Sequence, residues 1–182
     1  MSDEYYTVEV AGVKRNLRLF QIKPGLKIAI LNILGDTEFV QVCAKELAKK
    51  LKQVEYDVLV TAEAKSIPIA HAVAVETQKP YVVLRKTYKL YMGAAIQAET
   101  LSITTGQPQT LILDEKDIEL MKGKKVVILD DVISTGSTLQ GMRAILDKVG
   151  STIVGEAAIF TEGDQTHWAN VISLGHLPLF TD

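Results

Sequence analysis

Four consecutive aliphatic residues, Val126-Val-Ile-Leu129, run without a polar break into a pair of acids, and this junction narrows the fold more than any other stretch of the chain. A strand with one wet face alternates apolar and polar residues. A run that is apolar at every position has to be covered on both faces, as in a parallel sheet between layers of helices. After the acids, Asp130 and Asp131, come Val132 and Ile133, then the small hydroxyl-rich turn Ser134-Thr-Gly-Ser-Thr138. Gly141–Val149 then reads as a helix, with Met142, Ile145, Leu146 and Val149 on one side and Gly150 at its end. The chain is thus expected to leave a buried strand, turn, and come back as a helix. In α/β sheets the carboxyl ends of such strands are where ligands bind.

Similar units recur. Asp36-Thr-Glu38 looks like a helix start, followed by Val40, Cys43, Ala44, Leu47 and Leu51 on one face. Tyr56–Thr61, Tyr81–Leu84 and Thr152–Phe160 read as strands, Ile67–Gln78 as a helix, and Val171–Leu174 as a last short strand. Thr110–Leu113 is a weaker strand candidate. Tyr5–Val10 and Lys14–Phe20 around Gly12 read as a hairpin, and Leu26–Ile33 comes after the Pro24–Gly25 turn. From Tyr88 to Gln109 no clean period is seen. The expectation is an α/β fold with a parallel sheet flanked by helices, and extras from both terminal segments.

At 182 residues the chain suffices for one substantial core. Its net charge of -2 gives no overall pull toward nucleic acid or membrane, so anions have to be bound by locally placed donors. The lone cysteine, Cys43, excludes an internal disulfide and reads as a buried structural thiol. His71, His167 and His176 are too scattered for a metal site. Met1–Thr7 carries no secretory pattern and no apolar run is long enough for a membrane span, so the expected compartment is the cytoplasm.

The order of residues after Leu129 suggests a chemistry. Paired carboxylates can accept hydrogen bonds from vicinal hydroxyls or face a hydrated divalent cation. Ser134–Thr138 offers consecutive backbone N–H groups, hydroxyls and a helix N-terminus, which suit a dianionic phosphate. Gly136 lets the backbone approach closely. A bare Asp-Asp pair before a Ser/Thr cap is an ordinary strand–turn–helix; the whole order points to a sugar phosphate. The spacing of a nucleotide-triphosphate loop is absent.

In this order Val126–Leu139 resembles the signature that binds 5-phosphoribosyl-1-pyrophosphate (PRPP) in type I phosphoribosyltransferases, nearest the adenine and xanthine enzymes. The resemblance implies that fold for a single domain, with a small hood from about 1–35 and 161–182 over a core of 36–160. It implies that Asp130 and Asp131 hold the ribose hydroxyls, that Ser134, Thr135, Gly136, Ser137 and Thr138 hold the 5-phosphate, and that Val132 between them also lies against PRPP. Mg2+ rides on the pyrophosphate and ribose, meeting Asp130 and Asp131 directly or indirectly. Ala62–Ile67 resembles the family's pyrophosphate loop, which often carries a strained peptide bond; Ala64, Lys65 and Ser66 fall in it. Arg85-Lys86-Thr-Tyr-Lys89 resembles a run that contacts pyrophosphate, and three such cations repel one another unless an anion or solvent screens them. The implied catalytic set is Asp130, Asp131, Arg85 and Lys89. Tyr88–Gln109 corresponds to the mobile loop, where Glu99, Ser102, Thr104 and Thr105 stand in place of the Glu-Tyr pair usual in adenine-type enzymes.

The same resemblance implies a purine as second substrate, contacted by Leu31, Asn32, Phe160 and Glu162. A carboxylate at Glu162 prefers N–H donors, which slightly favours adenine. The implied reaction displaces pyrophosphate from C1 by a purine nitrogen, in purine salvage. Alternatives are a xanthine-, guanine- or hypoxanthine-specific enzyme, or a PRPP-sensing regulator without turnover. Partners are PRPP and the base, with neither nucleic acid nor membrane, and relatives imply a homodimer. Trp168 is expected to pack rather than stack on a base.

Overall fold

The apolar run is explained by what covers it. Val127 and Leu129 enter one buried cluster with Phe39, Leu47 and Ile69, while Val126 and Ile128 enter another with Leu111, Met142 and Ile145. All four are fully buried, each contributing roughly 1.5–3 kcal/mol of hydrophobic stabilisation. These contacts are seen in a computed structural model, which describes residues 4–101 and 108–181.

In chain order the elements are β1 (Tyr5–Val10), β2 (Val13–Lys23), β3 (Leu26–Ile30), α1 (Thr37–Leu51), β4 (Val58–Ala62), α2 (Ile67–Thr77) and β5 (Tyr81–Leu84). Next come β6 (Ile96–Leu101), β7 (Pro108–Leu113), α3 (Glu115–Met121), β8 (Lys125–Ile133), α4 (Ser137–Val149), β9 (Thr152–Glu162), β10 (Ile172–Leu177) and β11 (Phe180–Thr181). Strands β10-β9-β8-β4-β5 form an all-parallel sheet in that order. Helices α1 and α2 supply the first cluster and α4 the second. The terminal segments build a second, antiparallel sheet, β1-β2-β3-β11. Of 161–182, expected in the hood, β11 joins that sheet, whereas β10 forms the edge of the parallel one, where Ile172–Leu177 pairs with Ala157–Glu162.

Two further differences have local causes. The aperiodic segment contains β6, which pairs with β7 as a hairpin; Ala98 is buried there between exposed Gln97 and Glu99, a weak alternation. Ser102, Thr104 and Thr105 lie outside the described residues. Strand β8 extends past the acids to Ile133, because β9 continues far enough for Val132 to pair with Phe160 and Ile133 with Thr161. Among the described residues no helix is long and apolar enough to cross a membrane.

The start of α1 ties the two sheets together. Asp36 caps it by accepting from the Phe39 amide at 3.1 Å, and also takes Arg15 Nε and Nη2 from β2 at 2.6 and 2.8 Å. The Arg15 hydrogen bond is the main reason the Asp36 carboxyl titrates below its ordinary range. Its stabilising contribution is therefore complete above that range and is lost as pH falls through the depressed value. Asp36→Ala should cost about 1 kcal/mol as a lost cap. Urea unfolding near neutral pH should detect this, and the gap from wild type should close in acid. Cys43, buried in the same helix, has its thiol pushed up to about 12 chiefly by burial, as fits a structural residue.

Candidate functional site

Because β4, β5, β8 and β9 are neighbours and parallel, their carboxyl ends open on one side of the sheet. A cleft of 940 Å³ lies there, walled by Asp130, Val132 and Ser134–Leu139 from the β8–α4 connection, Glu162 and Gly163 after β9, and Lys86 and Gln109. Ile22, Lys23, Leu26 and Ile28 of the antiparallel sheet, with Leu179, complete the wall opposite. Ile22, Lys23 and Leu179 were not expected there, because only the docking of the second sheet brings them to the cleft.

The turn after β8 has the form of an anion cradle. Gly136, at φ 78°, is the residue before α4, and no side chain caps the helix there. The Ser137 amide donates weakly to Thr135 Oγ1 at 3.5 Å, and the N–H groups that follow in the first turn of α4 face outward where an anion can bind. Thr135 Oγ1 and Ser137 Oγ lie 3.2 Å apart beside it. The ring of Trp168 packs over Gly136, where a Cβ would come within 2.9 Å of Cη2.

The two acids differ. Asp130 Oδ1 accepts from the Asp131 amide at 2.8 Å and lies 3.0 Å from Ser66 Oγ. Burial, and then the neighbouring Asp131 carboxylate, push the Asp130 carboxyl well above its ordinary value. Asp131 is 7% exposed, and its Oδ2 has no hydrogen-bond partner among the described residues, although Lys65 Nζ stands 3.3 Å away. A buried carboxylate oxygen without a donor fits hydroxyls or water in a cation's shell. No group of three or more ligating side chains is found among the described residues, so a Mg2+ at this pair fits as an ion carried in with a polyphosphate.

The turn between β4 and α2 comes next along the sheet, with its Glu63–Ala64 peptide bond cis and Ala64 exposed. Ser66 is spent on Asp130 and Ala62 O rather than on capping α2. Lys65 Nζ donates to Leu31 O at 3.1 Å, joining this turn to the antiparallel sheet. From the following strand, Arg85 Nε donates to Glu63 Oε2 and the Lys86 amide to Glu63 Oε1, both at 2.6 Å. Burial raises the Glu63 carboxyl, but Lys86 and Arg85 outweigh it, so its pKa falls. Arg85 is raised, first by Glu63. Glu63, which was not among the expected site residues, fixes the place of Arg85 and of the Lys86 backbone.

The expected base residues do not all meet. Glu162 lines the cleft at 7% exposure, its carboxyl raised by burial and held back by Lys65. Phe160 is buried beneath it against Gly175, and Leu31 is buried with its carbonyl on Lys65. Asn32 faces a separate hollow of 410 Å³ with Arg15 and Asp36, and its side chain accepts from the Leu34 amide. Of the basic run, Lys86 lines the cleft; Arg85 is paired with Glu63, Lys89 is exposed, and neither forms its wall.

A family model for the phosphoribosyl transferase domain matches residues 30–168. The chain is 30% identical over 135 residues to the purine biosynthesis transcriptional repressor PurR of Bacillus subtilis, covering 74% of this chain and 47% of that protein. It is 39% identical over 115 residues to a hypoxanthine/guanine phosphoribosyltransferase of Methanococcus maripaludis, covering 63% of this chain and 58% of the relative. The chain thus spans about half the length of these curated relatives. Its backbone matches the crystal structure of adenine phosphoribosyltransferase from Thermoanaerobacter pseudethanolicus with a TM-score of 0.73 at 21% identity, over 88% of this chain and 95% of the other. That likeness fixes the fold as the type I phosphoribosyltransferase fold and leaves the base open. With the family model running unbroken from the end of β3 to Trp168, the chain belongs to the phosphoribosyltransferase domain family.

Proposed function

We propose that the chain transfers the 5-phosphoribosyl group of PRPP to a ring nitrogen of a purine, releasing pyrophosphate, in purine salvage. The observation that carries this reading is the cleft at the carboxyl ends of the parallel strands, which brings Asp130 and the Ser134–Thr138 turn together with Lys86 and Glu162. Ribose hydroxyls would give Asp131 Oδ2 the donors it lacks, and Asp130 the second contact. Ser134–Thr138 take the 5-phosphate at the start of α4, with Val132 beside them against PRPP. Ala64, Lys65 and Ser66, with Arg85, Lys86 and Lys89, take the pyrophosphate. Asp130 and Asp131 would face a Mg2+ carried with the substrate, which would neutralise pyrophosphate charge. As the C1–N bond forms the C1–O bond breaks, its electron pair leaves on pyrophosphate oxygen, and the ring N–H proton passes to water or to the released pyrophosphate. The protein's share is to hold both reactants and to stabilise the departing charge.

For the base, Glu162 accepts from N–H donors, while Leu26 and Ile28 make an apolar wall above it. Phe160, buried in the same strand as Glu162, backs that pocket, and Leu31 and Asn32 reach it when the hollow beside Asp36 opens toward the cleft. Adenine, with its N6 donors, is the base proposed first, and guanine is next. The test is a panel of adenine, guanine, hypoxanthine, xanthine, uracil and orotate with PRPP and Mg2+, scored for pyrophosphate. Adenine should turn over fastest and xanthine far more slowly; turnover with none of the six would sink the enzyme reading. A second reading, a PRPP-responsive regulator without turnover, draws on the 30% identity to a transcriptional repressor. It predicts PRPP binding in the same panel without pyrophosphate release.

A further inference from the structure

Beyond β9 the chain makes a tight turn whose two carbonyls are both held by side chains from further along. Trp168 Nε1–H donates to Glu162 O at 3.1 Å. His176 Nε2 lies 3.0 Å from Gly163 O, and since a carbonyl only accepts, that nitrogen carries the hydrogen. Its Nδ1 lies 3.0 Å from the Thr161 hydroxyl. The turn that aims Glu162 into the cleft is therefore braced from two sides.

Trp168 does a second thing. Its six-membered ring edge lies over Gly136, where a built Cβ would stand 2.9 Å from Cη2 and 3.7 Å from Cζ3. The ring thus occupies the space a side chain at 136 would need, against the loop that faces the phosphate. One residue is hydrogen-bonded to the base side of the cleft and packed on its phosphate side. A packed contact of this kind does not deform continuously. A shift of the loop onto a phosphate has to move the ring or be resisted by it, and the ring is bonded to the Glu162 carbonyl.

We propose that Trp168 is a positioning residue that couples occupancy of the Ser134–Thr138 loop to the placement of Glu162, so that the phosphate end of the sugar substrate sets up the base pocket. This rests on the transferase reading above. It differs from a purely structural role in that the indole N–H, and not ring bulk alone, is needed, and that the two substrates feel its loss unequally.

Trp168 is the only tryptophan of the chain, so its emission reports on the surroundings of this one residue. Ribose 5-phosphate titrated into the full chain should change that emission saturably, with a midpoint matching the affinity found by calorimetry. Trp168→Phe keeps an aromatic ring and deletes the N–H. It should leave ribose 5-phosphate affinity within about twofold of wild type and raise KM for the preferred purine about tenfold, the equivalent of one hydrogen bond. KM for PRPP should be nearly unchanged. Silent emission despite calorimetric binding, or an unchanged purine KM in Trp168→Phe, would overturn the coupling and leave the transferase reading standing. If wild type binds no ribose 5-phosphate, both fall. The emission test needs no variant, so it decides the matter even if Trp168→Phe does not fold.

Discussion

Asp130→Asn combined with Asp131→Asn should weaken PRPP binding by about 100-fold or more while leaving the fold intact. The size comes from the ligand's side: each carboxylate accepting a sugar hydroxyl contributes about 1.5–3 kcal/mol as a charge-assisted hydrogen bond, and two are lost. The intact fold comes from the protein's side. The bonds made by Asp130 Oδ1, from the Asp131 amide and Ser66, can be accepted equally by an Asn oxygen. Asp131 Oδ2 accepts no hydrogen bond, and its ion pair is with the half-exposed Lys65, which keeps Leu31 O as a partner. The sign of the pH effect is also fixed. Burial and the neighbouring Asp131 raise the Asp130 carboxyl in the folded protein, so as pH rises out of the ordinary carboxylate range the native state binds more protons than the unfolded chain. Stability from this group therefore falls as pH rises toward the raised value. The double variant should lose that slope and be at least as stable as wild type at pH 8. Calorimetry with PRPP and Mg2+, and urea unfolding at pH 5 and pH 8, check the two halves separately. Unaltered PRPP affinity would refute the ribose assignment.

The prominence of these acids in the sequence, and the invisibility of their neighbours, has a physical basis. Val126–Leu139 is contiguous, so strand, acids, turn and helix could be read together from local rules. The parallel sheet was legible for the same reason: runs such as Val58–Val60 and Val126–Leu129 are apolar on both faces only when both faces are covered. What escaped was tertiary. Glu63 gains its meaning from Arg85 and the Lys86 amide, a helix and a strand further along the chain. Ile22 and Lys23 become cleft residues because Lys65 and Arg15 pin the second sheet against the first. Helix α3 carried a local signal, with Asp114 accepting from the Lys116 amide and acids in its first turn, but seven residues are too few for a periodic pattern. Asn32 resembled a base contact by position, yet its side chain is turned to the Leu34 amide, a conformation that no spacing argument foresees.

Gly136→Val should be the most damaging single change at the cleft. Two independent costs meet at this position. At φ 78° a side chain is strained wherever it points, by about 1–3 kcal/mol, and more for a β-branched one. In addition the Cβ would come within 2.9 Å of Trp168 Cη2, so either the ring is pushed off or the loop is displaced from the start of α4. Each outcome spoils a cradle built from closely spaced backbone N–H groups, and ribose 5-phosphate binding should fall below detection by calorimetry. A cycle with Trp168→Ala separates the two costs. Removing the ring opens the space, so Gly136→Ala should destabilise the Trp168→Ala background less than it destabilises wild type, and the cost that remains measures the backbone strain. Equal costs in the two backgrounds would mean that the ring does not press on the loop. The packing at Gly136 would then be incidental to phosphate binding, and the strain at φ 78° would account for the whole effect.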